Sequence, residues 1–120
     1  MENSSTPANA GGTMKPKLEN VFAYGTLLNG AVQKEIIGHA VEGVMARIKD
    51  YERTSVCIGD EIHAVIKPKQ GSWVTGKVFT VTSDELHKID LYETTFYSRE
   101  RRKLADGTEA FVYVPAKRET

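Results

Sequence analysis

Alternating side chains along residues 72–81 constrain the fold of this chain more than any other feature of its sequence. Successive side chains of an extended strand point to opposite faces, so every second residue shares a face. One face carries Trp73, Thr75, Lys77, Phe79 and Val81. Its two aromatic side chains are predicted to lie in the core, and Gly76 in mid-run predicts a bulge or a barrel bend. From residue 39 onward, Val, Met and Ile alternate with polar residues in several further short strands.

Two short helices are predicted between the strands. Residues 31–37 end at Gly38, a typical C-terminal cap, and Asn29 with Gly30 indicates a turn before them. Thr82 and Glu85 have the spacing of a capping box, which predicts the start of the second helix.

The remaining strands lie near the two ends of the chain. Residues 21–24 form a short apolar run that stops at Gly25, which is typical of a buried strand. Residues 97–104 and 109–114 flank a turn at residues 106–107 and predict a hairpin. Because the strands come in runs, the sequence predicts an α+β fold, mostly antiparallel, and favours a small barrel-like sheet over an open parallel one.

Length and charge restrict the class of protein. The chain has 120 residues, which fits one domain, and its 16 basic and 16 acidic side chains argue against a general nucleic-acid binder. Residues 1–18 are predicted to be a disordered extension or an expression remnant, since residues 1–13 contain no Leu, Ile, Val or aromatic residue. A single domain is predicted over residues 19–120.

Location is predicted from what the chain lacks. It has no run of about 18 apolar residues that could span a membrane, and no apolar segment of a secretory signal near its start. Its one cysteine, Cys57, fits a reducing compartment, so the protein is predicted to be cytoplasmic. Cys57 itself is expected to be a small core side chain.

A carboxylate lies in an unusual place near the end of the second helix. At about 100° per residue, Glu93 falls only about 20° from Leu86 on the helical wheel, within the apolar stripe. Burial and the C-terminal end of the helix dipole both disfavour its charged form, which predicts the raised pKa that a general acid or base needs. The alternative is that the helix frays before Glu93 and the carboxylate meets solvent.

The loop after the first strand is the second candidate site, formed by Tyr24, Gly25, Thr26 and Leu27. A glycine directly after a buried strand lets backbone N–H groups converge in a concave nest that binds carboxylate or oxyanion oxygens. The alternative is an ordinary strand-to-helix connection in which Gly25 has a positive φ.

These two segments together resemble a known family. Residues 22–27, Phe-Ala-Tyr-Gly-Thr-Leu, resemble the Tyr-Gly-(Ser/Thr)-Leu signature of the γ-glutamylcyclotransferase-like family, which includes plant avirulence-induced proteins and γ-glutamylamine cyclotransferase. Residues 89–93, Ile-Asp-Leu-Tyr-Glu, are similar to its hydrophobic-Asp-x-x-Glu segment, and residues 97–99 to the Tyr-x-Arg that follows. The resemblance covers residues 19–116, with the motifs in the family's order.

The resemblance implies a mixed β-barrel with flanking helices and a central cavity. It implies a catalytic role for Glu93, substrate binding by Tyr24, Gly25, Thr26 and Leu27, and a place for Tyr97 in the same pocket. The implied reaction releases 5-oxoproline and an amine or amino acid from a γ-glutamyl compound, because the substrate's own α-amine attacks its side-chain carbonyl. An intramolecular nucleophile requires no enzymic Ser or Cys, and no metal or cofactor is expected; one carboxylate can act as base and then as acid.

Two alternatives to an enzyme stay open. The same scaffold would also suit a catalytically silent module that binds a small molecule or another protein. A basic run, residues 99–103, could contact RNA, but the interleaved Glu100 and the neutral total charge favour a solvated face. The predicted partner is therefore a small γ-glutamyl substrate, with no nucleic acid and no membrane.

Among the other polar residues, Arg99 is a candidate for the site and the histidines are not. Arg99 shares a strand face with Tyr97, which makes it a candidate for orienting the site electrostatically. The three histidines lack the close pairing of a metal site, so no metal ligands are predicted.

Overall fold

The computed structural model of the protein describes residues 17–93 and 96–116. Its elements are β1 Leu18–Ala23, a 3-10 helix Thr26–Leu28, α1 Gly30–Ile37, β2 Val44–Ile58, β3 Glu61–Thr82, α2 Ser83–Glu93, β4 Tyr97–Lys103 and β5 Glu109–Pro115. The segment predicted to be disordered, residues 1–18, lies outside the described residues except for Lys17 and Leu18, and Leu18 begins β1. None of the described helices is long and apolar enough to cross a membrane.

One five-stranded sheet, in the order β2-β3-β1-β5-β4, forms the framework. Neighbouring strands are antiparallel except β1 and β5, which are parallel. The sheet curls until the turn after β4 reaches the opposite edge strand, where the Ala105 N–H donates to the Arg47 carbonyl at 2.8 Å. The predicted α+β fold, with a mostly antiparallel, barrel-like sheet and two helices, is confirmed; the sheet is a curled half-barrel.

Apolar clusters cover both faces of the sheet around β1. The cluster beneath the helices contains Val21, Ala23, Leu27, Ile37, Phe79, Val81, Leu86, Ile89 and Tyr113. The cluster on the other face contains Phe22, Tyr24, Ile48, Ile66, Val74, Leu104, Ala110 and Val112. Full burial of a side chain such as Phe22 contributes about 2 to 3 kcal/mol. Ile48 and Leu104 come from opposite edges of the sheet, so their shared cluster holds the curl closed.

Helix ends follow the sequence closely. Gly38 ends α1 in the left-handed conformation, at φ 91°, as its C-cap position predicts. Asn29, which the sequence indicates only as a turn residue, is the N-cap of α1, and its side chain accepts the Ala31 N–H at 2.8 Å. The capping box of α2 is formed in both directions: the Thr82 N–H donates to Glu85 at 2.9 Å, and the Glu85 N–H donates to the Thr82 hydroxyl at 3.1 Å.

Strands β2 and β3 form one long hairpin instead of the several short strands predicted. They contain 15 and 22 residues, and a register shift after Lys49 bends the pair. Asp50 adopts φ 67° at this shift and accepts a hydrogen bond from the Gly71 N–H at 3.0 Å. Polar residues interrupt the apolar alternation here, but cross-strand pairing resumes with Tyr51 opposite Pro68. A bulge therefore replaces the predicted break.

Two residues predicted to be in the core lie on the surface. Trp73 is 55% exposed although Phe79 on the same strand face is buried, because the helices pack only over the part of that face near Phe79. Cys57 is exposed on the arm of the hairpin beyond the bulge. The alternation of β3 was predicted correctly, but alternation alone does not say how far the covering helices extend.

Gly76 does not form the predicted bulge. Its pairing with Ala46 is continuous with that of its neighbours, and the bulge lies at Asp50. A Cβ atom at position 76 would lie 2.2 Å from the Ala23 carbonyl oxygen and 2.9 Å from the Phe22 ring. Glycine is required here because β1 ends directly against β3.

Gly76→Ala is therefore expected to lower the free energy of unfolding by about 3 kcal/mol, since the new methyl group must displace backbone. Urea denaturation followed by circular dichroism measures the change. Gly30→Ala is the matched control, because its nearest contact would be at 3.8 Å, and this variant should equal or slightly exceed the wild type. Equal stability of Gly76→Ala and the wild type would show that the close approach does not constrain the fold.

Candidate functional site

A cavity of about 520 Å³ opens where the end of β1, the end of α2 and the start of β3 meet. It is lined by Phe22, Tyr24, Gly25, Thr26, Leu27, Glu61, Ile62, His63, Ala64, Tyr92, Glu93, Phe96, Tyr97 and Tyr113. The six residues to which the family resemblance gives a catalytic or binding role are among them, and Arg99 is not, so segments more than 60 positions apart line one cavity. Their roles in binding or catalysis stay predictions.

Glu93 is the last residue of α2 and is half-buried at the cavity. The helix continues to this residue, so the alternative in which it frays before Glu93 is wrong. Burial, and to a lesser extent the negative charge of Asp90, raise the pKa of the Glu93 carboxyl to about 7. A carboxyl with this pKa can both accept and donate a proton near neutral pH.

Asp90 lies one helical turn before Glu93 and is held from two sides. It accepts a hydrogen bond from the Tyr113 hydroxyl at 2.5 Å, and its other oxygen lies 3.4 Å from Nη1 of Arg99. Arg99 was a candidate for orienting the site; it contacts Asp90 and stacks over Phe111, with 4.6 Å from its guanidinium carbon to the ring centroid. Arg99 therefore pairs with Asp90, one of the two causes of the raised pKa of Glu93.

Three tyrosine hydroxyls lie near the Glu93 charge, and each already donates a hydrogen bond to another group. The Tyr97 hydroxyl donates to the Ala64 carbonyl at 2.7 Å, and the Tyr24 hydroxyl donates to the carbonyl of Tyr113. Burial is the main cause that raises the pKa of Tyr97, to about 12, and the nearby Glu93 charge adds to it. Burial likewise raises the pKa of Tyr24 and Tyr113. These hydroxyls stay protonated at neutral pH and act as donors, not bases.

The loop after β1 folds into a 3-10 turn. The N–H groups of Leu28 and Asn29 close it onto the carbonyls of Gly25 and Thr26, at 3.0 and 2.9 Å. The N–H groups of Thr26 and Leu27 precede these, and no carbonyl within the turn can satisfy them. Gly25 has a negative φ of −133°, so the positive φ expected of an ordinary strand-to-helix connection is not found, and the role of the loop stays a prediction.

Side chains from both helices fix this loop in place. Leu27 is 6% exposed and belongs to the cluster beneath the helices, so it anchors the loop as well as lining the cavity. Buried Gln33 of α1 donates to the Leu27 carbonyl at 2.9 Å. Thr26 shares a hydrogen bond of 3.1 Å with the Tyr92 hydroxyl, which joins the loop to the helix turn that carries Glu93.

Sequence reasoning missed the outer wall of the cavity. Residues 61–64, at the start of β3, form part of it, with Phe96 opposite them. The His63 ring lies 5.9 Å from the Phe96 ring, and its Nε2 lies 3.4 Å from the Glu61 carboxylate. No local pattern marks these residues, because only the curl of the hairpin brings them to the cavity. In the described part of the chain, no group of three or more His, Cys, Asp or Glu side chains could hold a metal ion.

Comparisons with known proteins agree with this geometry. The family model described as gamma-glutamyl cyclotransferase, AIG2-like, matches residues 21–120. AIG2-like protein D of Arabidopsis thaliana is 32% identical over 84 residues, which are 69% of this chain and 54% of that protein. The chain spans about half the length of the curated relatives it matches.

Solved structures share the fold. The solution structure of an Arabidopsis thaliana protein has a TM-score of 0.71 at 28% identity, covering 82% of this chain and 68% of that one. A structure described as gamma-glutamyl cyclotransferase has a TM-score of 0.68 at 19% identity, covering 86% and 69%. The family match extends over most of the chain and includes both motifs that line the cavity. The chain therefore belongs to the gamma-glutamyl cyclotransferase, AIG2-like family.

Proposed function

We propose that this protein releases 5-oxoproline from a γ-glutamyl compound, with Glu93 as the general acid and base. One observation carries the proposal: a half-buried carboxyl with its pKa raised to about 7 shares a cavity with a loop whose first N–H groups have no acceptor within their turn. Membership of the family supports the same class of reaction.

The chemistry requires a proton to move from one nitrogen to another. Ionised Glu93 takes a proton from the substrate's α-ammonium, and the freed amine attacks the γ-carbonyl carbon of the same molecule. A C–N bond forms to close the five-membered lactam, and the bond from that carbon to the leaving nitrogen breaks. Protonated Glu93 then gives this proton to the leaving nitrogen as its bond to carbon breaks, and the regenerated carboxylate takes the second proton from the new lactam nitrogen and passes it to the released amine, which departs as an ammonium ion. Because both reacting groups belong to one molecule, much of the entropic barrier is already removed.

Substrate oxygens are held by backbone donors in this proposal. The N–H groups of Thr26 and Leu27 are positioned by the 3-10 turn and by the Gln33 contact to the loop. Preorganised backbone N–H groups stabilise a carboxylate or a developing oxyanion without reorganisation during the reaction. Gly25 leaves room beside them, since a Cβ there would lie 3.4 Å from Ala64.

The leaving group is expected to be an amine that carries no carboxylate. Among the described residues that line the cavity there is no Lys or Arg, and Glu61 lies at the outer wall beside His63. A leaving group with its own carboxylate would face like charge there, whereas a neutral or cationic amine would not. Phe96 and Ile62 provide apolar contact for its carbon chain.

The second candidate is a module that binds the γ-glutamyl compound without turnover. The same lack of a lining Lys or Arg favours it, because the substrate's α-carboxylate would be held by backbone donors alone. The two candidates differ in product: the module binds the ligand, and no 5-oxoproline accumulates.

Glu93→Gln tests the catalytic assignment. The amide cannot accept the proton, so 5-oxoproline release from a panel of γ-glutamyl amines and dipeptides should fall by at least about 100-fold. Glu109→Gln is the control: it makes the same change at a carboxylate of β5 that does not line the cavity, and it should keep turnover. Equal turnover by Glu93→Gln and the wild type would contradict the role of Glu93, and ligand binding by a wild type that forms no product would favour the silent module.

Glu93→Gln should also change stability in a pH-dependent way. Because the pKa of Glu93 is about 7 in the folded state and lower in the unfolded chain, the wild type loses stability as pH rises through this interval. The variant should be more stable than the wild type by about 2 kcal/mol at pH above 7, after allowance for partial exposure, and the difference should vanish in mild acid. Thermal unfolding across pH measures it. A constant difference at all pH values would contradict the raised pKa.

Asp90→Asn should lower the pKa of Glu93, since it removes the nearby negative charge while its amide oxygen can still accept from Tyr113. The rising limb of turnover against pH should therefore move to lower pH. Carbon-13 NMR titration of the Glu93 carboxyl checks the same shift without substrate. Arg101→Gln is the control, because Arg101 is on the same strand as Arg99 but is paired with Glu109. It should leave the pH dependence of turnover unchanged. An unchanged pKa in Asp90→Asn would show that Asp90 does not tune Glu93.

A further inference from the structure

Six exposed residues form a patch on the hairpin of β2 and β3. They lie on the same face of the sheet as Phe79, which the helices cover, but beyond the part that the helices reach. They are three cross-strand pairs: Met45 with Lys77, Arg47 with Thr75, and Lys49 with Trp73. We name this patch the outer face. Met45 is 72% exposed and Trp73 is 55% exposed, so two large apolar side chains meet solvent between three cations.

The cations of the outer face differ from the three arginines of β4. Arg99, Arg101 and Arg102 of β4 each lie within 4 Å of a carboxylate, on Asp90, Glu109 and Glu100. In the described part of the chain, no carboxylate lies within that distance of Arg47, Lys49 or Lys77. The nearest acidic neighbour in sequence, Asp50, is engaged by the Gly71 N–H. The positive charge of the outer face is therefore uncompensated within the described residues.

Protection of a sheet edge explains only part of this pattern. β2 is an edge strand, and charged side chains such as Arg47 and Lys49 discourage unwanted pairing there. Trp73 and Lys77 lie on β3, which is paired by β2, so edge protection does not account for them. The Arg47 guanidinium carbon lies 4.1 Å from the centre of the Trp73 ring, which holds both side chains in place before any partner arrives.

We propose that the outer face docks an acidic, partly apolar segment of a partner protein. Its cations complement carboxylates, and Trp73 with Met45 provides apolar contact. Trp and Arg dominate the free energy of protein interfaces, and Met is enriched there. The outer face contains Trp73 and Arg47, with the guanidinium of Arg47 stacked over the Trp73 ring.

Charge argues for a peptide rather than for a nucleic acid. Three cations would neutralise about three phosphates, whereas nucleic-acid binders that depend on the backbone use about six to ten. Single-strand binders also stack successive bases on several aromatic rings, and the outer face has one, partly covered by Arg47. A short acidic segment needs only a few ion pairs and one apolar anchor.

The experiment uses the full chain, in which Trp73 is the sole tryptophan and so reports directly on the outer face. The probe is a synthetic peptide of Glu, Ser and Leu; the matched probe has Gln in place of Glu. We expect the Glu peptide to shift Trp73 emission to the blue, and its Kd to rise between about 50 and about 200 mM salt. The Gln peptide should bind at least about tenfold more weakly.

Two triple variants distinguish binding at the outer face from an effect of the protein's total charge. The triple variant Arg47→Gln, Lys49→Gln, Lys77→Gln should raise Kd by about tenfold or more. The control Lys34→Gln, Lys88→Gln, Lys103→Gln removes the same charge from exposed positions elsewhere and should bind like the wild type. Circular dichroism confirms that both triple variants are folded.

Several results would overturn the proposal. The first is a Trp73 emission spectrum that the Glu peptide leaves unchanged. The second is a Gln peptide that binds as tightly as the Glu peptide. The third is an equal loss of affinity for the Glu peptide in the two triple variants. Tighter binding of oligothymidylate would assign the face to nucleic acid, and tighter binding of phosphatidylserine vesicles would assign it to a membrane surface.

Discussion

Pairing of β1 on both of its edges is the interaction on which the rest of the structure depends. β3 pairs with it antiparallel along its whole length, and β5 pairs with it in parallel at Val21 and Phe22. Its two faces contribute to the two apolar clusters of the molecule. Because β1 is central and short, its end fixes the position of the Gly25 loop. The hairpin of β2 and β3 and the hairpin of β4 and β5 then meet around that loop.

At the cavity, α2 holds the Glu93 carboxyl where burial disfavours its charge. The fixed ends of α2 make this possible. At its start the capping box is formed, and Glu85 also lies 2.6 Å from Nε2 of His39, a contact that raises the pKa of this histidine. At its end, Tyr92 is hydrogen-bonded to Thr26. These contacts at both ends of α2 hold Glu93 at the cavity, where burial raises its pKa.

The sequence allowed much of the local structure and of the candidate site to be predicted. Gly38, the capping box and the alternation of β3 are determined by residues within one turn or one strand, and they were predicted correctly. Glu93 falls on the apolar stripe of its helix for the same reason. The surroundings of Glu93 were not predictable in this way. Asp90, the second cause of its raised pKa, is oriented by Tyr113, which lies 23 positions further along the chain.

By itself, then, the sequence determined the two helices, the Gly38 cap and the capping box, the alternation of β3 and the motifs that indicate the family, because each depends on neighbours along the chain. Only the tertiary structure decided that the bulge lies at Asp50 and that β3 supplies the outer wall of the cavity. It also decided that Trp73 is exposed while Phe79 is buried on the same strand face. These outcomes depend on how far the hairpin bends and how far the helices reach over the sheet, and both are set by contacts between residues distant in sequence.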